Sequence, residues 1–167
     1  MYYADASRVC LEPCVPYGWQ FPDEDVFMPS AKGKGLNCFG LLTRTNKLMF
    51  STTTQNINST FVFEYLDRLS FMLEKPTVIV LDNASVHTAK IIQQQRNVWE
   101  ERGLILFYLP PYSPQLNLIE ILWKMLKYYW LKPEDYAEEQ LLFYKITLAL
   151  AAVGSSLNIN FSDLALV

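Results

Sequence analysis

The 167-residue chain is 51% hydrophobic, enough for one substantial core and too short for much of a second domain. Its net charge of −3 and pI near 5.2 argue against a free-standing, non-specific DNA binder, which normally carries a basic face. Three cysteines (Cys10, Cys14 and Cys38) without CxxC spacing, together with the single His87, do not make a structural zinc site. With no signal peptide in view they read as reduced thiols of a cytoplasmic protein. The longest apolar stretch, residues 146–153, falls short of the roughly 20 residues that a membrane span requires.

A strand is expected over residues 1–11, followed by a long irregular segment, 12–35, punctuated by Pro13, Pro16, Gly18, Pro22 and Pro29. Residues 38–43 and 47–53 flank the turn-like Arg44-Thr45-Asn46 and predict a β-hairpin. Asn58 or Ser59 can cap a helix running to about residue 74, broken by Lys75-Pro76. Residues 77–81 form a β-branched run suited to a parallel strand buried on both faces. A polar helix over 88–102 ends at Gly103, and a short strand over 104–109 stops at Pro110-Pro111. Two further helices are expected over 117–131 and 134–153, separated by Pro133. An opening meander followed by alternating strands and helices predicts an α/β layer structure, a mixed five-stranded sheet flanked by helices in one domain over 1–167.

Three acids stand out. Asp82 closes the strand over 77–81, where ligands collect in such sheets, although an Asp-Asn pair also simply ends strands and opens turns. Asp5 sits among β-favouring residues near the expected end of the first strand, where an unpaired acid is costly unless the strand is an edge. Glu120 opens a helix, and Asn117-Leu118-Ile119-Glu120 also fits a capping box with Glu120 reaching back from N3. Lys124 and Lys127 share a helical face with Glu120; they suit either solvated ion pairs or a phosphate backbone. His87 could contact substrate or begin a helix. Asp23-Glu24-Asp25 reads as a solvated turn, and Asp67, Glu100, Glu101, Glu138 and Glu139 as helix surface. No P-loop, dinucleotide-binding fingerprint or nucleophile elbow is present.

Leu81-Asp82-Asn83-Ala84-Ser85-Val86-His87-Thr88 and Leu109-Pro110-Pro111-Tyr112-Ser113-Pro114-Gln115-Leu116-Asn117-Leu118-Ile119-Glu120-Ile121-Leu122-Trp123 resemble the catalytic motifs of mariner-like DDE transposases, in particular their bacterial insertion-sequence branch. Asp5 matches that family's first acid, followed here by Ala6 where relatives often carry Glu, and Tyr17-Gly18-Trp19 matches an aromatic-glycine element. The resemblance implies a ribonuclease H-like fold and two Mg²⁺ or Mn²⁺ ions held by Asp5, Asp82 and Glu120. It also implies cut-and-paste DNA transposition by phosphodiester hydrolysis and strand transfer at transposon ends. His87, Lys124 and Lys127 become expected DNA contacts. A homodimer is implied, joined by the insertion over 12–35, and so is nucleoid association. The helix-turn-helix module that relatives carry upstream is expected from elsewhere, for example a separate reading frame. Two alternatives are a ribonuclease H-like nuclease without strand transfer, and an inactive remnant that binds or dimerises.

Overall fold

The structure, a computed structural model, describes residues 1–12 and 34–161. Its strands are β1 (Tyr2–Cys10), β2 (Gly35–Leu42), β3 (Leu48–Thr53), β4 (Thr77–Leu81) and β5 (Leu104–Tyr108), joined in one mixed sheet of order β3-β2-β1-β4-β5. The first three form the expected antiparallel meander, turning at Asn46 with φ 61°. β4 and β5 run parallel to β1. The α-helices are α1 (Ser59–Phe71), α2 (Lys90–Glu101), α3 (Ile119–Met125) and α4 (Glu139–Ala152).

Alternation along the strands divides the core into two layers. Tyr3, Val9, Leu36, Cys38 and Leu42 face α3 and α4, whereas Ala4, Phe39, Leu41, Ile79 and Leu81 face α1 and α2. α1 begins where the Asn58 side chain accepts the Phe61 N–H at 2.9 Å, and it buries Val62, Leu66 and Leu69 at helical spacing. α2 ends at Glu101, two residues before Gly103, whose φ of +86° suits glycine. Asp67, expected on a bare helix surface, instead ties α1 to α2: it accepts from Trp99 Nε1 at 3.0 Å and Arg102 at 2.9 Å.

Two expected helices are subdivided. The 117–131 segment is α3 followed by a π-helical turn (Leu126–Trp130), and a 3-10 turn (Pro114–Leu116) precedes it. Residues 134–153 become a 3-10 turn (Pro133–Tyr136) and α4. α4 is apolar on every side, yet Leu141, Tyr144 and Leu148 remain exposed while Leu142, Ile146 and Leu150 are buried. Among the described residues no helix is long and apolar enough to cross a membrane. Cys14, Tyr17-Gly18-Trp19, Asp23-Glu24-Asp25 and most of the 12–35 insertion lie outside the described residues.

Candidate active site

Asp5 does not end its strand, contrary to expectation; it lies near the middle of β1. What ends there is the parallel ladder, whose pairs are Tyr2↔Ile79 and Tyr3↔Val80. Continuing that register sets Asp5 level with Asp82, just past the carboxyl end of β4. β1 runs on because β2 still pairs with it, Asp5 opposite Gly40. The first acid is therefore held by an uninterrupted antiparallel pairing and the second by a strand end. Ligand atoms of Asp5, Asp82 and His87 all lie within 4.8 Å of one another.

Glu120 reaches the same cleft from the amino end of α3. It lines the cavity with Asp82, Asn83 and Asn117, and its charge acts on Asp5. The expected capping box does not form. Asn117 is 2% exposed and its Nδ2 donates to the Ala4 carbonyl of β1 at 3.1 Å, so its side chain anchors α3 to the sheet beside Asp5. Glu120 is thus freed from any reciprocal capping bond with Asn117. The loop leading into α3 is fastened at its other end too, by Asn83 Nδ2 donating to the Leu109 carbonyl and by Leu109 N–H donating to the Leu81 carbonyl at 2.8 Å.

Each strand acid has a buried partner. Trp123 Nε1 donates to Asp5 Oδ2 at 3.2 Å from the next turn of α3. The indole fits because residue 40 is glycine: a Cβ there would meet Ile119 Cδ1 at 3.0 Å and the Trp123 ring at 3.2 Å. His87 Nδ1 lies 2.6 Å from Asp82 Oδ1, which also accepts the Ala84 N–H at 3.0 Å. With Asp82 ionised, that bond requires the imidazole proton on Nδ1. Tyr108 Oη donates to the His87 carbonyl at 2.8 Å, fixing the turn that carries the ring. At 1% exposure His87 has no surface to offer a nucleic acid, so its expected DNA contact gives way to a role in orienting Asp82.

The charges differ accordingly. Burial lifts the Asp5 carboxyl from 3.8 to about 7, with the Glu120 and Asp82 charges acting in the same direction. Burial and the nearby Asp82 raise Glu120 as well, opposed by Lys127. Asp82 is held below its ordinary value, chiefly by the His87 hydrogen bond, which outweighs its own burial. Lys127 is half-buried and close enough for its charge to act on both Glu120 and Cys38. Lys124 is exposed and lines a separate groove with Ile121, Met125 and Tyr129. The shared-face expectation assumed an unbroken α-helix, whereas the π-helical turn beginning at Leu126 changes the rotation per residue before Lys127.

Sequence reasoning included Trp123 only as the last residue of the matched motif, without a role, and did not single out Gly40. Trp123 was legible, since it lies three positions after Glu120 on one helix. Gly40 gave no local signal, because its need arises from an indole brought in from far along the chain.

Comparison with solved structures finds the same fold in DNA-recombination complexes. A Mos1 transposase paired-end complex with the left transposon end matches at TM-score 0.57 and 14% identity, over 90% of this chain and 52% of that one. The Mos1 mariner paired-end complex with Mn gives TM-score 0.57 and 13% identity, over 90% of this chain and 52% of that one. A chain of the simian T-cell lymphotropic virus intasome, solved with the PP2A regulatory subunit B56 gamma, gives 0.60 and 16%, over 82% and 49%. This chain therefore spans about half the length of the structures it matches. No curated protein matches it. The expected ribonuclease H-like architecture, a mixed five-stranded sheet with helices on both faces, is the one found. The DDE superfamily endonuclease family matches residues 1–142, most of the chain and all three acids, and the chain belongs to that family.

Proposed function

We propose that this chain is the catalytic domain of a DNA transposase, cleaving a phosphodiester at transposon ends and joining the freed 3′ end to target DNA. The observation that carries this reading is the meeting of Asp5 and Asp82, with Glu120 in the same cleft, at the carboxyl end of a parallel strand. The donor set suits hard divalent cations such as Mg²⁺ or Mn²⁺, because carboxylate oxygens dominate it. Asp5 accepts from Trp123, and Asp82 accepts from His87 and the Ala84 N–H; a carboxylate has about four lone-pair sites, so each acid keeps acceptor capacity for a cation. Asp5, Asp82 and Glu120 would hold the ions. The chemistry supplied by bound ions is activation of the attacking oxygen and neutralisation of the leaving one.

The protein's own contribution is placement. Trp123 and His87 fix the two strand acids in one orientation, which spares reorganisation when the ligand set closes. Burial under α3 keeps water from the inner side of Asp5. Lys127, and more distantly Lys124, would meet the phosphate backbone without reading its sequence. The DNA-end module and the second subunit expected from the resemblance would supply recognition and pairing of ends.

The test is nicking of supercoiled plasmid in Mn²⁺, with joining of a labelled 3′-hydroxyl oligonucleotide assayed in the same tube. Cleavage and joining are both expected, and both are lost in Asp82→Asn. Cleavage without joining would leave a nuclease. Mn²⁺ binding with neither activity would leave a binding module.

A further inference from the structure

Tyr112 is the most conspicuous unexplained residue. Its side chain is fully exposed, at 102%, and its backbone sits at φ +55°, a left-handed conformation that a bulky aromatic residue rarely adopts. A turn needing only that backbone would be served better by glycine, and a surface needing only solubility would not present a bare phenol ring. Both features lie at the lip of the catalytic cleft, which Tyr112 lines together with Asp82 and Glu120.

The loop that carries the ring is closely restrained. Pro110 and Pro111 precede it and Pro114 follows, fixing three backbone φ angles within five residues. Ser113 Oγ donates to the Pro111 carbonyl at 3.3 Å, and Asn117 N–H donates to the Pro114 carbonyl at 2.9 Å. Asn83 and Asn117 tie the two ends of this loop to the end of β4 beside Asp82 and to the middle of β1 beside Asp5. The Tyr112 backbone is therefore tied into a restrained loop beside the acids, while its ring stands open to solvent.

We propose that Tyr112 is a stacking platform for an unpaired nucleobase of the DNA strand beside the scissile phosphate. An aromatic ring near a phosphodiester-cleaving centre has one flat, sequence-neutral partner at hand, the face of a base. Stacking on a ring this solvent-exposed requires the base to leave its own duplex stack, or to lie at a frayed or single-stranded end. The cleft then grips its substrate by the phosphate, at the acids, and by a neighbouring base, at Tyr112. This inference rests on the DNA-cleaving reading but adds a contact that the metal ligands do not make.

The test uses a short duplex with a single-stranded overhang that carries either a base or an abasic sugar at the unpaired position. Binding is measured in Ca²⁺, to hold cleavage off, with 2-aminopurine fluorescence reporting stacking at that position. The whole chain should bind the base-containing overhang about tenfold more tightly than the abasic one, the scale of a single base–aromatic stack. Tyr112→Phe should keep that preference. Tyr112→Ala and Tyr112→Gly should abolish it, and Tyr112→Gly should melt no lower than the parent because glycine relaxes the left-handed backbone. No base-dependent difference or fluorescence change in the parent, up to millimolar oligonucleotide, overturns the proposal. Persistence of the preference in both Ala and Gly variants overturns it as well. Mn²⁺ binding, followed in parallel, separates the two readings, since its loss would remove the metal site and its retention would confine the failure to Tyr112.

Discussion

Asp82 and Asp5 stand level at the end of one parallel ladder, and their surroundings treat them in opposite ways. Asp82 is 43% exposed and takes a hydrogen bond from a buried imidazole, so its charge is stabilised without a cation. Asp5 is pressed between the sheet and α3, receives one indole N–H, and is raised to about 7. The cleft is thus only partly charged when empty near neutral pH. A divalent cation held by Asp5, as proposed, would displace its proton, which would couple metal affinity to pH.

Neutralising either acid tests that contrast most severely. Asp5→Asn and Asp82→Asn should each lower Mn²⁺ affinity by orders of magnitude, since a hard cation needs the carboxylate charge. Their effects on the metal-free fold should diverge. Asp5→Asn removes a charge that burial disfavours and should stabilise by roughly 2 kcal/mol at pH 8. Asp82→Asn weakens a charge-assisted bond to buried His87 and should destabilise by about 1 kcal/mol. Calorimetric melting without metal, beside Mn²⁺ titration, reads both quantities. The same sign for both stability changes would break the comparison.

The pH profile of the metal-free domain separates the acids without mutation. Folded Asp5 keeps its proton up to about 7 and an unfolded one only to 3.8, so the folded state binds more protons in between. Its stabilising share is complete below 3.8 and is lost as pH rises through 7. Asp82 has the reverse sign: its share is present above 3.8 and is lost as pH falls through its lowered value. Urea midpoints should therefore decline on both sides of a mildly acidic maximum. Asp5→Asn, or saturating Mn²⁺, should flatten the neutral limb and leave the acid limb in place.

The smallest expected effect belongs to the third acid. Glu120 is not engaged in a capping box with Asn117, so Glu120→Gln should leave stability within about 1 kcal/mol while Mn²⁺ affinity falls sharply. A large drop in melting temperature with unchanged metal affinity would return Glu120 to a structural role.

Much of this was legible from local pattern. The β-branched run at Thr77–Leu81, the hairpin turn at Asn46 and the Asn58 cap are signals carried by a few adjacent residues, and the structure places all three as expected. The misreadings share a different cause. Asn117 has the spacing of a cap, but its amide is drawn to the Ala4 carbonyl, 113 residues away. Asp5 appeared to end a strand because nothing nearby shows that one neighbour stops pairing while the other continues. The burial of His87 depends equally on packing against Phe39, 6.4 Å away between ring centroids, on a strand from the opening meander. Local chemistry announces which residues can act, and distant partners decide what each of them does.

The indole bond from Trp123 to Asp5 spans 118 residues of sequence, slightly more than separates the first acid from the third. A chain emerging from the ribosome exposes Asp5 well before Asp82, with neither able to complete the cleft. Only when the segment through Trp123 has emerged and docked does the first acid acquire its donor and the third acid its place. Interrupted translation or proteolysis before that point yields fragments with carboxylates but no assembled centre.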